Sequence, residues 1–326
     1  MLSNLIKLLL VFIICLFLSV VYFGVVSKNK SQVYINKPFA EIQKKETSIL
    51  LAGDVMLGRG VYNKSKKLDD YTYPFNNVYN ILQKSDIVLI NLENPIVENC
   101  PVEITGMKFC SLPESLQGFL FSGIDVVNIA NNHIANYGNE GVERTKKYLL
   151  NAGLLPVGLG IYQEIERNGT KIGFLGFDFT SNLPKESDFA LINESSKKAD
   201  FLIVSVHWGV EYTGTSKTYQ KEWARKFIEN GADVVVGHHP HWVQEIEYIK
   251  DGSNVSLPES PNNWGGVRPV YYSLGNFVFD QMWSEETKKG MVIELILVDG
   301  KITKENRHFI YMKDIGQPVF VNDKNK

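Results

Sequence analysis

Gly231-Ala-Asp-Val-Val-Val-Gly-His-His-Pro-His-Trp-Val-Gln244 is a short β-branched run, broken by a glycine and followed by three histidines in four residues. Val234 to Val236 reads as a buried strand. Gly237 ends it, and Pro240 fixes the backbone before His241. Side chains at i and i+2 of an extended segment fall on one side, so His239 and His241 form the expected ligand pair. His238 is left over, expected to turn toward a group that supports a ligand rather than toward the metal. A solvated His-rich turn would read the same over these residues alone. What argues against it is that ligand-type residues recur at the ends of other strands.

Working outward, short apolar runs alternate with helical spacing. Ser48-Ile-Leu-Leu-Ala52 runs into Gly53-Asp54, and Ile87-Val-Leu-Ile90 runs into Asn91-Leu-Glu-Asn94. Asp125–Ala130 ends at Asn131-Asn-His133, and Asp200–Val206 at His207-Trp-Gly209. Lys171–Phe177 and Val270–Leu274 read as further strands, the latter ending at Gly275-Asn276. Helices are expected over 76–84, 113–121, 141–152 and 218–230, with Gly123 and Gly153 as stops. Lys250 to Arg268 reads as a long loop. Met291–Val298, Asp299-Gly300 and Ile302–Tyr311 read as a closing hairpin. This alternation implies an α/β sandwich with a largely parallel central sheet. In such sheets ligands bind beyond the carboxyl ends of the strands, which is where each polar cluster falls.

The chain has 326 residues, 44% of them hydrophobic, and a net charge of −2. That balance offers no electrostatic basis for nucleic-acid binding. Leu8 to Val26 is uncharged and long enough to span a bilayer, with no convincing Ala-x-Ala-like cleavage site after it. The expected organisation is a membrane anchor over 1–27, a lysine-bearing polar tether over 28–47, one domain over 48–315 and a tail over 316–326. Lys7 flanks the apolar run on one side and Lys28, Lys30 and Lys37 on the other, so charge bias alone does not orient it. Cys100 and Cys110 are the cysteines outside that run. In an oxidising compartment they are expected to bond to each other, closing a small loop.

Taken as one site, the strand ends supply Asp54, Glu93 with Asn91, Asn132 and His133, His207, His239 and His241. Mixed oxygen and nitrogen donors suit zinc, manganese or iron(II), and one or two such ions can bind an attacking water and an ester oxygen. Arg59 follows Asp54 closely enough to clamp an anionic group by a two-pronged contact. Each residue has a plainer role open to it. Asp54 can cap a turn, Asn91 can form an Asx-turn and Glu93 can be a solvated acid. Asn132 and His133 can brace a turn, His207 can be a hydrogen-bonded core histidine, and Arg59 can be a surface charge. Trp208, Trp242 and Trp283 read as packing.

The motifs Gly53-Asp-Val-Met-Leu-Gly-Arg59, Asn91-Leu-Glu93, Asn131-Asn-His133 with Tyr137-Gly138, His207-Trp-Gly-Val-Glu-Tyr212, Gly237-His-His-Pro-His241 and Tyr272-Ser-Leu-Gly-Asn-Phe277 occur in this order. From about Ser48 to Asp280 the chain resembles the bacterial capsule-synthesis CapA (poly-γ-glutamate synthesis) family of the calcineurin-like metallophosphoesterase superfamily. The resemblance implies a four-layer α/β/β/α sandwich behind one N-terminal transmembrane helix, outside the cytoplasm at the cell membrane. It implies a part in making or exporting poly-γ-glutamate or another anionic capsular polymer, alongside capsule-synthesis membrane proteins. A metal-activated water would attack a phosphoester or related acyl bond, with Asn132 beside it and His133 as general acid. A non-catalytic polymer-binding scaffold and a phosphoesterase acting on a small phosphate ester are the alternatives. Two positions depart from the pattern. Met56 stands where the wider superfamily has the histidine of Asp-x-His, and Asn136 stands where the resembling family usually has an aspartate.

Overall fold

The computed structural model describes residues 45–321, except 104, 261 and 262. The expected anchor, nearly all of the tether and residues 322–326 lie outside the described residues. Among the described residues no helix is long and apolar enough to cross a membrane. The strands are β1 (Glu46–Val55), β2 (Ile87–Leu92), β3 (Val126–Asn128), β4 (Leu155–Val157), β5 (Gln163–Arg167), β6 (Thr170–Asp178), β7 (Phe201–His207), β8 (Val234–His238), β9 (Ile246–Lys250), β10 (Ser253–Val255), β11 (Arg268–Tyr271), β12 (Asn276–Val278), β13 (Lys289–Val298), β14 (Lys301–Asp314) and β15 (Gln317–Val321). The helices are α1 (Arg59–Leu68), α2 (Tyr79–Leu82), α3 (Leu116–Ser122), α4 (Gly138–Asn151), α5 (Glu186–Ser196), α6 (Thr218–Glu229) and α7 (Glu285–Lys288).

Two mixed sheets result, so the alternation is split rather than gathered into one central sheet. The first runs β15-β14-β13-β1-β2-β3-β4, with β12 also paired to β1. The second runs β10-β9-β11-β8-β7-β6-β5. β1 to β4 are mutually parallel, as are β6, β7, β8 and β11. These strands are apolar on both faces because both faces are covered. Ile49, Leu51, Ile87, Leu89 and Val126 of the first sheet pack against Ile172, Phe174, Ile203, Val234 and Val236 of the second. The alternate residues Leu50, Ala52, Val88, Ile90 and Val127 pack under helices with Phe119 of α3 and Leu149 of α4. On the far side, Leu175, Leu202, Val204 and Val235 meet Phe189 and Ile192 of α5 and Ala224 and Phe227 of α6. Helix α6 buries Gln220, Ala224, Phe227 and Ile228, the spacing of a single helical stripe. Gly123 ends α3 with φ 74, a left-handed cap that glycine adopts without strain.

Regular alternation would aim Asp54 at the helices, alongside Leu50 and Ala52. It does not go there, because β1 carries an irregularity between Leu51 and Asp54. Leu51 pairs with Leu89, yet Asp54 pairs with Asn91. One extra residue in β1 shifts the register and turns Asp54 onto the face between the sheets. The bulge needs a glycine, since a Cβ on Gly53 would lie 2.0 Å from the Gly275 carbonyl oxygen.

The expected hairpin is present, with β13 and β14 joined through Asp299-Gly300, both at positive φ. Several boundaries differ from the sequence reading. β8 continues through Gly237 to His238. The loop expected over 250–268 begins with a second Asp-Gly hairpin, in which Asp251 and Gly252 join β9 to β10 at positive φ, as a two-residue turn requires. Residues 317–321, expected as tail, form β15 on the sheet edge beside β14. That strand is short and contains Pro318, a signal that suits an edge position alone.

Gly53→Ala should cost about 3 kcal/mol, the upper end of the usual overpacking range, because the added methyl meets a backbone carbonyl that no side-chain rotation relieves. Urea unfolding of the variant measures the loss, and a change below 1 kcal/mol would show that the bulge tolerates a side chain.

Candidate metal centre

The carboxyl ends of the two parallel arrays meet along one seam. In the first sheet, Asn276, Asp54, Asn91 and Asn128 are register neighbours across β12, β1, β2 and β3. In the second, Asp178, His207 and His238 are neighbours across β6, β7 and β8. Above these rungs the connecting loops bring Glu93, Asn132, His133, His239 and His241 to the same place.

Asp54 is the hub and is fully buried. Its Oδ1 accepts from Asn91 Nδ2 at 2.9 Å and lies 3.2 Å from His238 Nδ1. Its Oδ2 accepts from the His239 backbone N–H at 3.2 Å and lies 3.2 Å from His241 Nδ1. Asn91 Oδ1 in turn accepts from Asn128 Nδ2 at 2.9 Å and Asn131 Nδ2 at 3.3 Å, which fixes which way its amide faces. Asn91 Nδ2 also lies 3.1 Å from His207 Nδ1. His207 Nε2 is then the atom turned to Asn132 Oδ1 at 3.1 Å and Glu93 Oε1 at 3.9 Å. Asn276 Oδ1 lies 3.0 Å from His241 Nδ1 and leaves His241 Nε2 facing Glu93 Oε2 at 4.0 Å.

Two donor groups are thus formed. One is Asp54, Glu93 and His207; the other is Glu211, His239 and His241; in each, the ligand atoms lie within 4.8 Å of one another. Burial raises the Glu93 carboxyl well above the usual range, and the neighbouring Asp54 carboxylate adds to it. Burial alone would raise Asp54 too, but His238 and His241 hold it well below. Burial keeps His207 well below the ordinary imidazole value, with His239 next in effect. His239 is likewise pushed down to about 4 by burial and by His241. Glu93 Oε2 and His239 Nδ1 are buried with no hydrogen-bond partner, although buried polar atoms are rarely left so. Imidazoles held neutral, with unshared lone pairs converging on carboxylates, fit a divalent cation. The set contains no thiolate, which suits zinc, manganese or iron(II).

Several sequence expectations change. His238 stands on the seam against Asp54, because it ends the strand in register with His207. His239 and His241 converge by another route than alternation. The strand has already ended, and both residues adopt positive φ, 95 and 57. Arg59 does not present a free fork. Its Nη2 pairs with Asp280 and its Nη1 donates to the Gly106 carbonyl, while the guanidinium lies 4.5 Å over the Phe109 ring. Met56 Sδ accepts from the Gly58 backbone N–H at 3.0 Å, so it closes its own turn. Glu211 and Asn276 join the centre from outside the expected ligand set; for Glu211 the signal in the sequence is an acid four residues past His207. Trp208 is packing, whereas Trp283 is exposed and stands edge-on to Tyr212, itself 5.8 Å from His241.

At the mouth, Asn132 is exposed and His133 is buried behind it. His133 Nδ1 lies 3.3 Å from Asn136 Oδ1, so residue 136 is its partner even as an amide. The Phe109 ring stacks on His133 with centroids 4.0 Å apart. The Phe109 backbone N–H also donates to Asn136 Oδ1 at 2.6 Å. Phe109 is held there by the loop that the Cys100–Cys110 disulfide closes. Burial pushes His133 down to about 4, against the pull of the Asn136 hydrogen bond.

Residues 48–281 match the bacterial capsule synthesis protein PGA_cap family. The capsule biosynthesis protein CapA of Bacillus anthracis is 29% identical over 293 residues, which is 80% of this chain and 66% of that protein. The PGA biosynthesis protein CapA of Bacillus subtilis (strain 168) is 32% identical over 273 residues, 75% of this chain and 66% of that one. The match therefore spans just under two thirds of the length of these relatives. Among solved structures, a phosphatase from Mycoplasma pneumoniae superposes with a TM-score of 0.51 at 15% identity, covering 83% of this chain and 95% of that one. At that identity the likeness shows a shared fold.

Replacing both cysteines by serine should cost roughly 2–3 kcal/mol of stability and loosen Phe109 from His133. Thermal unfolding in the absence and presence of reductant checks the first part, and an unchanged midpoint would contradict it. His239→Ala should lower the uptake of added manganese while leaving the far-UV circular dichroism unchanged, since no core strand contains the residue. Manganese uptake equal to wild type in amount and affinity would remove His239 from the centre.

Proposed function

The chain belongs to the bacterial capsule synthesis protein PGA_cap family, and from that premise we propose that it serves capsule or poly-γ-glutamate biosynthesis as a membrane-anchored, metal-dependent hydrolase. The observation that carries the reading is the seam itself: carboxylates and imidazoles from four strand ends lie within ligand distance of one another, Asn132 Oδ1 adjoins His207 Nε2, and Glu93 Oε2 and His239 Nδ1 are buried without a partner. Divalent ions, when bound, supply an acidified water and a charge to polarise a phosphoryl or acyl oxygen. Asp54, Glu93, Asn132, His207, His239 and His241 are the residues that would hold them. Asn91 and Asn276 orient His207 and His241 so that their Nε2 atoms face the centre. His133 keeps its Nδ1 proton on Asn136, which leaves Nε2 as the atom that exchanges a proton with the leaving group. Burial keeps that ring neutral at rest, and an anionic substrate beside it favours its protonation. Arg59 acts by its charge, since Asp280 occupies its fork.

The substrate proposed is an anionic capsular polymer or a phosphoester, with capsule-synthesis membrane proteins as partners. The domain is proposed to face outward on the Leu8–Val26 segment. The Cys100–Cys110 disulfide supports an oxidising compartment. A second reading, a polymer-binding scaffold without turnover, draws on Met56, which contributes no ligand from the first strand.

His133→Ala should retain manganese yet lower hydrolysis of an aryl phosphate by about 100-fold or more. Wild-type protein that binds manganese but turns over neither aryl phosphate nor polymer would favour the scaffold. For orientation, protease added to intact cells with an accessible outer surface should remove the domain; complete protection would place it inside.

A further inference from the structure

We propose that Glu211 is a metal ligand, forming with His239 and His241 a second cation position beside that of Asp54, Glu93 and His207. The inference rests on the metal centre proposed above and assigns to it a residue from outside the expected set. The ligand atoms of Glu211, His239 and His241 lie within 4.8 Å of one another, and the Nδ1 of His239 is buried without a partner. One carboxylate and two imidazoles, a mixed set of hard and borderline donors, suit zinc, manganese or iron(II).

The position of Glu211 is built into the loop between β7 and α6. The chain leaves His207, turns at Gly209 with φ 88, and turns again at Tyr212 with φ 59. A side chain at Gly209 would meet Gln220 at 2.8 Å. The Tyr212 backbone N–H donates to the Pro240 carbonyl at 2.8 Å, which ties the residue next to Glu211 to the residue between His239 and His241. Gln281 Nε2 donates to the Tyr212 hydroxyl at 3.1 Å, and Gln244 Nε2 donates to the Thr213 carbonyl at 2.8 Å. Two loops that each carry ligands are therefore pinned together by their backbones. Glu211 is half-buried at the open side, where an ion can enter from solvent.

The same assignment accounts for Met56. Its sulfur is spent on the Gly58 N–H, so β1 supplies Asp54 and no imidazole. Glu211 would add a carboxylate donor from the loop after β7, in the second sheet. A site with one more carboxylate is harder, which shifts preference from zinc toward manganese.

The experiment uses the full chain purified in detergent, stripped of metal and titrated with manganese(II) by calorimetry, with bound metal counted after dialysis. Wild type should take up two ions per chain and Glu211→Gln one, with unchanged circular dichroism and the remaining ion bound as before. Glu211→Asp, one methylene shorter, should weaken the second ion without deleting it. Equal stoichiometry and affinity in wild type and Glu211→Gln would overturn the assignment of Glu211 and leave the centre standing. Wild type that binds no manganese would overturn the metal centre and, with it, this inference.

Discussion

A single buried carboxylate sets the constraints on the rest of the site. Asp54 lies between two sheets with no exposure, where an unpaired charge would cost several kcal/mol. It is tolerated because both oxygens are engaged, by Asn91 and His238 on one side and by His241 and the His239 backbone on the other. Those partners come from both sheets, so the charge can be satisfied only when the sheets pack face to face. The β1 bulge, with Gly53 against the Gly275 carbonyl, is the local distortion that puts the carboxylate there.

Around that hub the protein uses neutral amides rather than further charges. Asn91, Asn128, Asn131 and Asn276 fix one another and set which nitrogen of His207 and His241 faces inward. An amide orients its neighbour without adding to the charge buried in the seam, and a fully connected polar network of this kind holds one arrangement. Burial keeps His207 and His239 neutral, the form in which an imidazole can bind a cation, whereas the raised Glu93 carboxyl would have to release its proton to do so.

The mouth is organised by a different interaction. The disulfide closes a loop whose inner residue, Phe109, covers His133 and lies under Arg59. Ring stacking and the shared acceptor Asn136 hold the imidazole from two directions. A long, otherwise irregular segment is thereby made rigid where it borders the chemistry, as loops that carry function require.

Much of this was legible in the residues alone. Alternating strands and helices, polar clusters at strand ends, the Asp299-Gly300 turn and the pairing of two nearby cysteines all follow from local periodicity and turn chemistry. So did the gathering of Asp54, Glu93, Asn132, His207, His239 and His241 at one edge, because parallel strands share a carboxyl end. What only the tertiary structure decided were features that depend on contacts across sheets. The β1 bulge exists because a second backbone, at Gly275, approaches Gly53; the glycine is a local signal, but the segment that approaches it is not legible from β1. His238 joined the seam because β8 stays in register with β7 through His207, while His239 and His241 turned inward through positive φ that alternation does not foresee. Arg59 was taken by Asp280, 221 residues away in sequence, and Glu211 met His239 and His241 because Tyr212 bonds to Pro240. Local sequence sets which residues a strand end offers. Which of them meet is set by hydrogen bonds between segments far apart in the chain, and those form only once both sheets have closed on the buried carboxylate.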